Sequence, residues 1–378
     1  MTKAAELAKM GEVLTNSQIG GRRNIVINGA MNVFQRSSSA VTGLGDGNEG
    51  YVVHDRISHT VVAGAGRFTV TPASVTDLPG FLNALQVTCT TADTSIAATE
   101  LYQLQYKIEG QDLQQLKKGT SDAEKVTVSF YVKGHDSATY TCELFDVDNS
   151  RQISQTFSVT TSWNRVELTF NADTTGAFND DNGESLQLNI FLHAGSNYTG
   201  GTFTSNTWAS NTNANRVNSS SNSIFESTSA SFSITGLQME VGSVATPFEH
   251  RSVAEELALC QRYLYRISGS LYEFFVNGVR NNTNYLWCPL QLPVPLRTQP
   301  TITTSGTSNN CFGIWLGTGG SWDTQHTTMG VYANPDLHDG SVVQLALALN
   351  GISTSFGDGQ CVNLAFQDNG FLNCDAEL

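Results

Sequence analysis

Two stretches set the pattern for most of this chain. Val126, Val128, Phe130 and Val132 alternate with Thr127, Ser129, Tyr131 and Lys133, and Leu186, Leu188, Ile190 and Leu192 alternate with Gln187, Asn189, Phe191 and His193. A period of two puts each set on its own face, so both stretches predict half-buried β-strands. Further strand-like runs lie at 24–29, 51–59, 66–72, 84–90, 100–108, 138–146, 152–160, 163–170 and 231–239. Together they suffice for two packed antiparallel sheets of about four or five strands each. Beyond residue 270, runs at 271–279, 284–292, 300–304, 311–316, 327–332, 341–349 and 360–366 alternate with Gly and Asn turns and predict a second, smaller β-sandwich. Pro289, Pro293, Pro295 and Pro300 confine that part of it to edge or loop positions.

Helical spacing occurs at two places. Ala5, Leu7, Ala8, Met10, Val13 and Leu14 predict a short N-terminal helix that Gly20-Gly21 ends. So short a helix is marginal in water, so Leu7, Met10, Val13 and Leu14 are expected to anchor on a partner chain or on copies of themselves across a symmetry axis. The second is a helix over 252–266, with Ser252 as cap, Glu255 three residues on, and Leu257, Cys260 and Leu264 along one face. A chain of 378 residues exceeds what one core serves well. The expected organisation is therefore a helix and hinge over 1–23, a first sandwich over 24–250, a connecting helix over 251–267 and a second sandwich over 268–378. Residues 196–229 are rich in Ser, Asn and Thr and predict a long surface loop. Its Tyr198, Phe203 and Trp208 either pin that loop or meet a ligand.

Composition supports an all-β reading: 14% of residues are charged, 39% are hydrophobic and 34 are Gly. The net charge of −14 repels phosphate backbones and anionic membrane surfaces, which disfavours nucleic acid and membrane partners. No apolar stretch is long enough to span a bilayer, and MTKAAELAKMGEVL lacks a signal peptide's apolar segment, so synthesis without export is expected. Cys89, Cys142, Cys260, Cys288, Cys311, Cys361 and Cys374 show no CxxC spacing and read as free structural thiols. His54, His59, His135, His193, His250, His326 and His338 form no HExxH motif, and there is no GxSxG elbow or phosphate loop, so no enzyme and no cofactor is expected.

Four segments resemble a module of tailed-phage and cyanophage virion proteins: NIVINGAMNVFQR at 24–36, HDRIS at 54–58, FSITGLQMEVGSVATPFEH at 232–250 and EELALCQRYLYR at 255–266. Between them, LYQLQYKIEGQDLQQLKKG, KVTVSFYVKG and SWNRVELTF are similar to jelly-roll carbohydrate-binding modules. The resemblance implies a jelly-roll first domain in a tail fibre-like virion protein, a trimer anchored through its N-terminus, made in the host cytoplasm and attaching to host surface polysaccharide. The alternative is a capsid-decorating or collar protein with a purely structural role. On this reading, sugar meets the polar faces of the strands at Gln103, Gln105, Tyr131, Gln187, Asn189 and His193, joined by Tyr198 and Trp208 of the loop. The competing use of that face is burial against a neighbouring subunit. Trp163 reads as core, and Arg36 is expected near Glu240 and Glu249. Jelly-roll modules often hold a structural calcium, for which the turns at 45–50, 146–149 and 179–184 offer hard oxygen ligands; plain hairpin turns are the alternative.

Overall fold

A computed structural model describes Lys3 and residues 23–282, 285–305, 312–316, 322–323, 328–335, 341–350, 361–366 and 370–378. The expected N-terminal helix, with Leu7, Met10, Val13 and Leu14, lies outside the described residues, as does Cys311. The chain divides between Glu256 and Leu257 into two compact units.

The first unit contains β1 (Val41–Leu44), β2 (Ile57–Val62), β3 (Arg67–Ser74), β4 (Asn83–Thr91), β5 (Leu101–Glu109), β6 (Val126–Gly134), β7 (Ala138–Asp146), β8 (Arg151–Val159), β9 (Asn164–Phe170), β10 (Glu184–Ala194), β11 (Ala209–Ser210) and β12 (Ser231–Val241). They form two six-stranded antiparallel sheets, in the orders β1-β3-β4-β12-β6-β9 and β11-β8-β7-β10-β5-β2. The chain crosses repeatedly from one sheet to the other, giving a jelly-roll sandwich. The inward faces carry the predicted alternation: Val126, Val128, Phe130 and Val132 of β6 meet Leu186, Leu188, Ile190 and Leu192 of β10 in one core. Aromatic rings fill its middle, with Phe68 stacked on Tyr102 at 4.4 Å and Phe130 edge-on to Phe157 at 5.1 Å.

The segments quoted for the phage resemblance are wound together. Asn24 donates through Nδ2 to the Leu237 carbonyl, and its Oδ1 accepts from the backbone N–H groups of Val26 and Met239. Glu249 accepts from Asn24 N–H and Glu256 from Asn28 N–H, both at 2.6 Å, while Arg251 donates to the carbonyls of Asn24 and Val26. Gly29 passes so close to β12 that a Cβ there would lie 2.0 Å from the Leu237 oxygen. Gly236, at φ +64°, sits where the pairing of β12 with β6 shifts register, a bulge that residues with a Cβ adopt poorly. Arg36 lies 3.9 Å from Asp55, whereas Glu240 accepts from Thr246 and Gln238 and Glu249 lies 3.9 Å from Arg251, so the expected pairing of Arg36 with Glu240 and Glu249 is not formed. The reason is that Asp55 is buried just ahead of β2, where it draws in both Arg36 and the neighbouring Gln35.

Asn28 is left-handed at φ +61° and buried, with Nδ2 donating to the Val33 and Asp55 carbonyls and Oδ1 accepting from Val33 N–H. Asn28→Ala is expected to cost about 3 kcal/mol, from three lost buried hydrogen bonds plus the left-handed backbone. Urea denaturation checks this, with Asn28→Gly recovering the backbone part only.

The helix α1 (Val253–Gln261) begins with Ser252 Oγ accepting from Glu255 N–H at 3.2 Å, the predicted cap. It stops five residues short of the expected end. Leu264–Arg266 belong to the strand β13 (Leu264–Gly269), because there they find a full antiparallel ladder near the chain's C-terminus. The second unit continues with β14 (Phe274–Asn282), β15 (Tyr285–Leu296), β16 (Thr301–Thr304), β17 (Phe312–Leu316), β18 (Trp322–Asp323), β19 (Thr328–Pro335), β20 (Val342–Asn350), β21 (Cys361–Phe366) and β22 (Gly370–Asp375). These make a seven-stranded sheet, β18-β17-β21-β14-β15-β20-β19, and a three-stranded sheet, β13-β22-β16, packed round Phe312, Phe366, Leu347 and Leu372. Pro289 lies inside β15 and not on an outer strand, yet β14 pairs with Tyr285–Trp287, so among the described residues the proline-bearing half pairs with β20 on one side and with no strand on the other.

Candidate functional site

Strand pairing lines up three rows of side chains on the outer face of the β11-β8-β7-β10-β5-β2 sheet. The middle row runs Ser154, Glu143, Asn189, Gln105, Ser58 across β8, β7, β10, β5 and β2. On one side lie Thr156, Thr141, Phe191, Gln103 and Thr60, and on the other Gln152, Phe145, Gln187 and Lys107. Amides and hydroxyls dominate, and the few charges are paired. Gln105 Nε2 donates to Asn189 Oδ1 at 3.3 Å, Asn189 Nδ2 donates to Glu143 at 2.9 Å, and Lys107 lies 3.2 Å from Glu184. Gln103 Oε1 and Ser154 Oγ are buried with no hydrogen-bond partner among the described residues.

The expected surface loop does not stand free of this face; much of it lies across the sheet as a strap. Arg216 donates Nε and Nη2 to the two oxygens of the buried Glu143 at 2.9 and 2.6 Å, its guanidinium lying over Phe145 and Phe191. Val217 packs with Leu101 and Phe191, Thr141 Oγ1 lies 2.8 Å from Ser221 Oγ, and Asn222 accepts from Thr139 N–H. At the end of the strap, His193 Nδ1 lies 2.7 Å from Ser223 Oγ and its Nε2 3.1 Å from Glu100. Burial pushes the imidazole below its ordinary pKa, against the pull of Glu100, so the ring is neutral at pH 7. Ser223 Oγ also accepts from Phe225 N–H and caps the 3₁₀ turn Ile224–Glu226, which makes this chain of contacts an anchor for the strap.

The residues singled out in the sequence are therefore partly reunited and partly separated. Gln103, Gln105, Gln187, Asn189 and His193 share the outer face, but Gln103 is 4% exposed, Gln105 8%, Asn189 0% and His193 1%; only Gln187 is half-buried. Tyr131 lies on the other sheet, its ring 5.2 Å from Phe81, because β6 pairs with β12 and β9. Tyr198 packs on Leu101, Phe191 and Val217, and Trp208 packs on the core and donates to the Asn171 carbonyl at 2.7 Å, so both aromatics pin the loop. Trp163 is half-buried outside the core, where its Nε1 donates to Asp77. Glu143, Ser154, Arg216 and Phe145 complete the face and were missed, although Thr141, Glu143 and Phe145 alternate with Tyr140, Cys142 and Leu144 in β7.

In two of the three acidic turns considered for calcium, those at 146–149 and 179–184, Asp146, Asp148 and Asp181 have protein partners. Asp146 binds Lys118 and Asn149, Asp148 accepts from Asn179, and Asp181 accepts from Gly183 N–H. Among the described residues no group of three or more His, Cys, Asp or Glu is placed to hold a metal ion, and no helix is long and apolar enough to cross a membrane.

No family model and no curated protein matches the chain. Solved structures do. The enzymatically active domain of tailspike protein 4 of bacteriophage CBA120 is similar over 58% of this chain and 21% of its own, at 12% identity and a TM-score of 0.30. The family 22 carbohydrate-binding module of Clostridium thermocellum Xyn10B is similar over 50% of this chain and 89% of its own, at 12% identity and a TM-score of 0.27. The family 11 carbohydrate-binding module of the same organism, in complex with a β-1,3-1,4-mixed-linked tetrasaccharide, is similar over 55% and 90%, at 11% identity and a TM-score of 0.23.

Proposed function

We propose that this chain is a non-catalytic structural component of a phage virion, a tail fibre-like protein whose first unit binds neutral surface polysaccharide of the host. What carries the reading is the outer face of β5 and β10. It is a sheet surface of amides and hydroxyls where Lys and Glu usually predominate, and there the Gln103 carbonyl and, on nearby β8, the Ser154 hydroxyl have no hydrogen-bond partner among the described residues. Hydroxyl-rich ligands supply both donors and acceptors to such groups. Single contacts of this kind are weak, and several copies on one particle, as in a trimer anchored through Leu7, Met10, Val13 and Leu14, raise the effective concentration.

A second reading, a decorating or collar protein with a mechanical role, is favoured by the strap itself, which seals Asn189 and Glu143 away from solvent. Gln105→Ala with Gln187→Ala distinguishes the two. The pair is expected to weaken binding of the purified chain to host-surface polysaccharide about thirtyfold, through loss of roughly one net hydrogen bond's free energy at each site. Unchanged binding and unchanged host adsorption would remove the face as a glycan site and leave the mechanical reading.

A further inference from the structure

The resemblance to jelly-roll modules raises the question of a structural calcium, and one place in the first unit has the oxygens for it. Lys118, in the connection between β5 and β6, points its ammonium into a nest of four oxygens: Asp146 Oδ2 at 2.6 Å, Asp173 Oδ2 at 3.1 Å, and the Thr175 and Gly176 carbonyls at 2.8 Å each. Two carboxylates and two carbonyls converging on one point supply four of the roughly six to eight oxygens that a hard cation such as calcium takes, at distances a few tenths of an ångström shorter, and waters can supply the others. Lys118, Asp146 and Asp173 are all buried. Phe178 and Trp208 lie 5.2 and 5.4 Å from Nζ, and a cavity of about 20 Å³ beside the side chain has room for about one water.

Charge balance decides what the nest can hold. Arg151 grips Asp173 with Nε and Nη2 at 2.7 and 3.0 Å, so Lys118 and Arg151 offset Asp146 and Asp173 and the group of four is neutral. Burial alone would raise the Asp173 carboxyl; Arg151 and Lys118 hold it below its ordinary value instead. A divalent ion entering this neutral group would bring two excess positive charges beside Lys118 or have to expel its buried ammonium, whereas without Lys118 it would leave a single excess charge.

We infer that Lys118 is the resident cation of this sandwich: its ammonium does the structural work of a divalent metal ion, and the nest around it is a latent calcium site that the side chain keeps closed. Two consequences separate this from an ordinary buried ion pair. The first unit needs no divalent ion for its stability, and removing the ammonium leaves a vacant oxygen nest of net charge −1 that recruits one.

The test uses the full chain. Wild-type protein is expected to keep its thermal midpoint within about a degree in millimolar calcium or in EDTA. Lys118→Ala is expected to have a lowered midpoint that calcium raises again by several degrees, by binding only the folded form. Terbium, a calcium mimic, is expected to show luminescence sensitised by the neighbouring Trp208 in Lys118→Ala and none in wild type, with calcium competing it away. The double variant Lys118→Ala/Asp146→Asn restores neutrality without the metal and is expected to fold in EDTA and to lose both responses. A wild-type midpoint that drops in EDTA would overturn the inference. So would a Lys118→Ala protein without calcium response or terbium signal, or one that fails to fold with and without calcium while the double variant folds.

Discussion

Lowering the pH from neutral to about 5 is expected to remove roughly 4 kcal/mol from the stability of the first unit, while most of its carboxylates are still ionised. The cause is a pair of histidines, His54 just ahead of β2 and His59 within it. His54 is fully buried against Phe34, with neither ring nitrogen finding a partner among the described residues. His59 lies beside the stacked Phe68 and Tyr102 rings, its Nδ1 2.8 Å from the Tyr102 hydroxyl. Burial drives each pKa down from 6.5 to about 3, and for His59 the nearby His54 lowers it further. The sign follows from proton counting. Between pH 6.5 and 3 the unfolded chain holds protons on these rings that the folded chain does not, so stability is complete above pH 6.5 and falls as pH drops through that window. Each ring contributes a slope of about 1.4 kcal/mol per pH unit, and His193, lowered for the same reason, adds in the same direction.

Urea midpoints measured from about pH 6.5 down to about pH 5 isolate the histidines, because carboxylates with pKa values near 4 are still ionised there. His54→Leu, which keeps the volume and removes the titrating ring, is expected to lower the slope by about 1.4 kcal/mol per pH unit. A slope in that window that the substitution leaves untouched would mean that His54 is protonated in the folded protein and that the burial argument is wrong.

What the sequence made legible was whatever repeats at short range. The alternation in β6 and β10 identifies each strand and its core face, because a one-residue slip would turn every apolar side chain outward. It carries no record of which sheet a strand joins. That is why Tyr131 and Gln187 looked like members of one surface although β6 and β10 lie in opposite sheets. Leu264 continued the helical spacing of Leu257 and Cys260, yet a strand more than a hundred residues further on claimed it. The loop at 196–229 was judged by its overall polarity, but it is held by a few residues: buried Val217, Ile224 and Phe225, and one arginine. Asn24, Asn28, Glu249 and Glu256 were visible as parts of recognisable segments while their purpose, closing the sandwich over 225 and 228 residues of intervening chain, needed coordinates.

That one arginine carries the second large effect. Arg216→Ala is expected to cost about 3–5 kcal/mol, because Glu143 is fully buried and loses its bidentate partner, keeping the hydrogen bond from Asn189. Most of the loss should appear as release of the strap and not as global unfolding, since the sheet beneath is closed by the core on its other side. Limited proteolysis within 211–226 should therefore accelerate well before the core's amide protons lose protection. Replacing the carboxylate as well, in Arg216→Ala/Glu143→Gln, removes the unpaired charge and should recover much of the stability while leaving the strap loose. That double variant also bears on the face underneath. If the amide rows bind polysaccharide, uncovering Asn189 and Thr141 should raise the affinity of the purified chain; if the rows serve only to seat the strap, binding stays at its original level while proteolysis alone changes. A single variant as stable and as protease-resistant as wild type would show that the bidentate pair contributes nothing, and the strap would then be held by its other contacts, among them Val217, Phe225, His193 with Ser223, and the hydrogen bonds of Ser221 and Asn222.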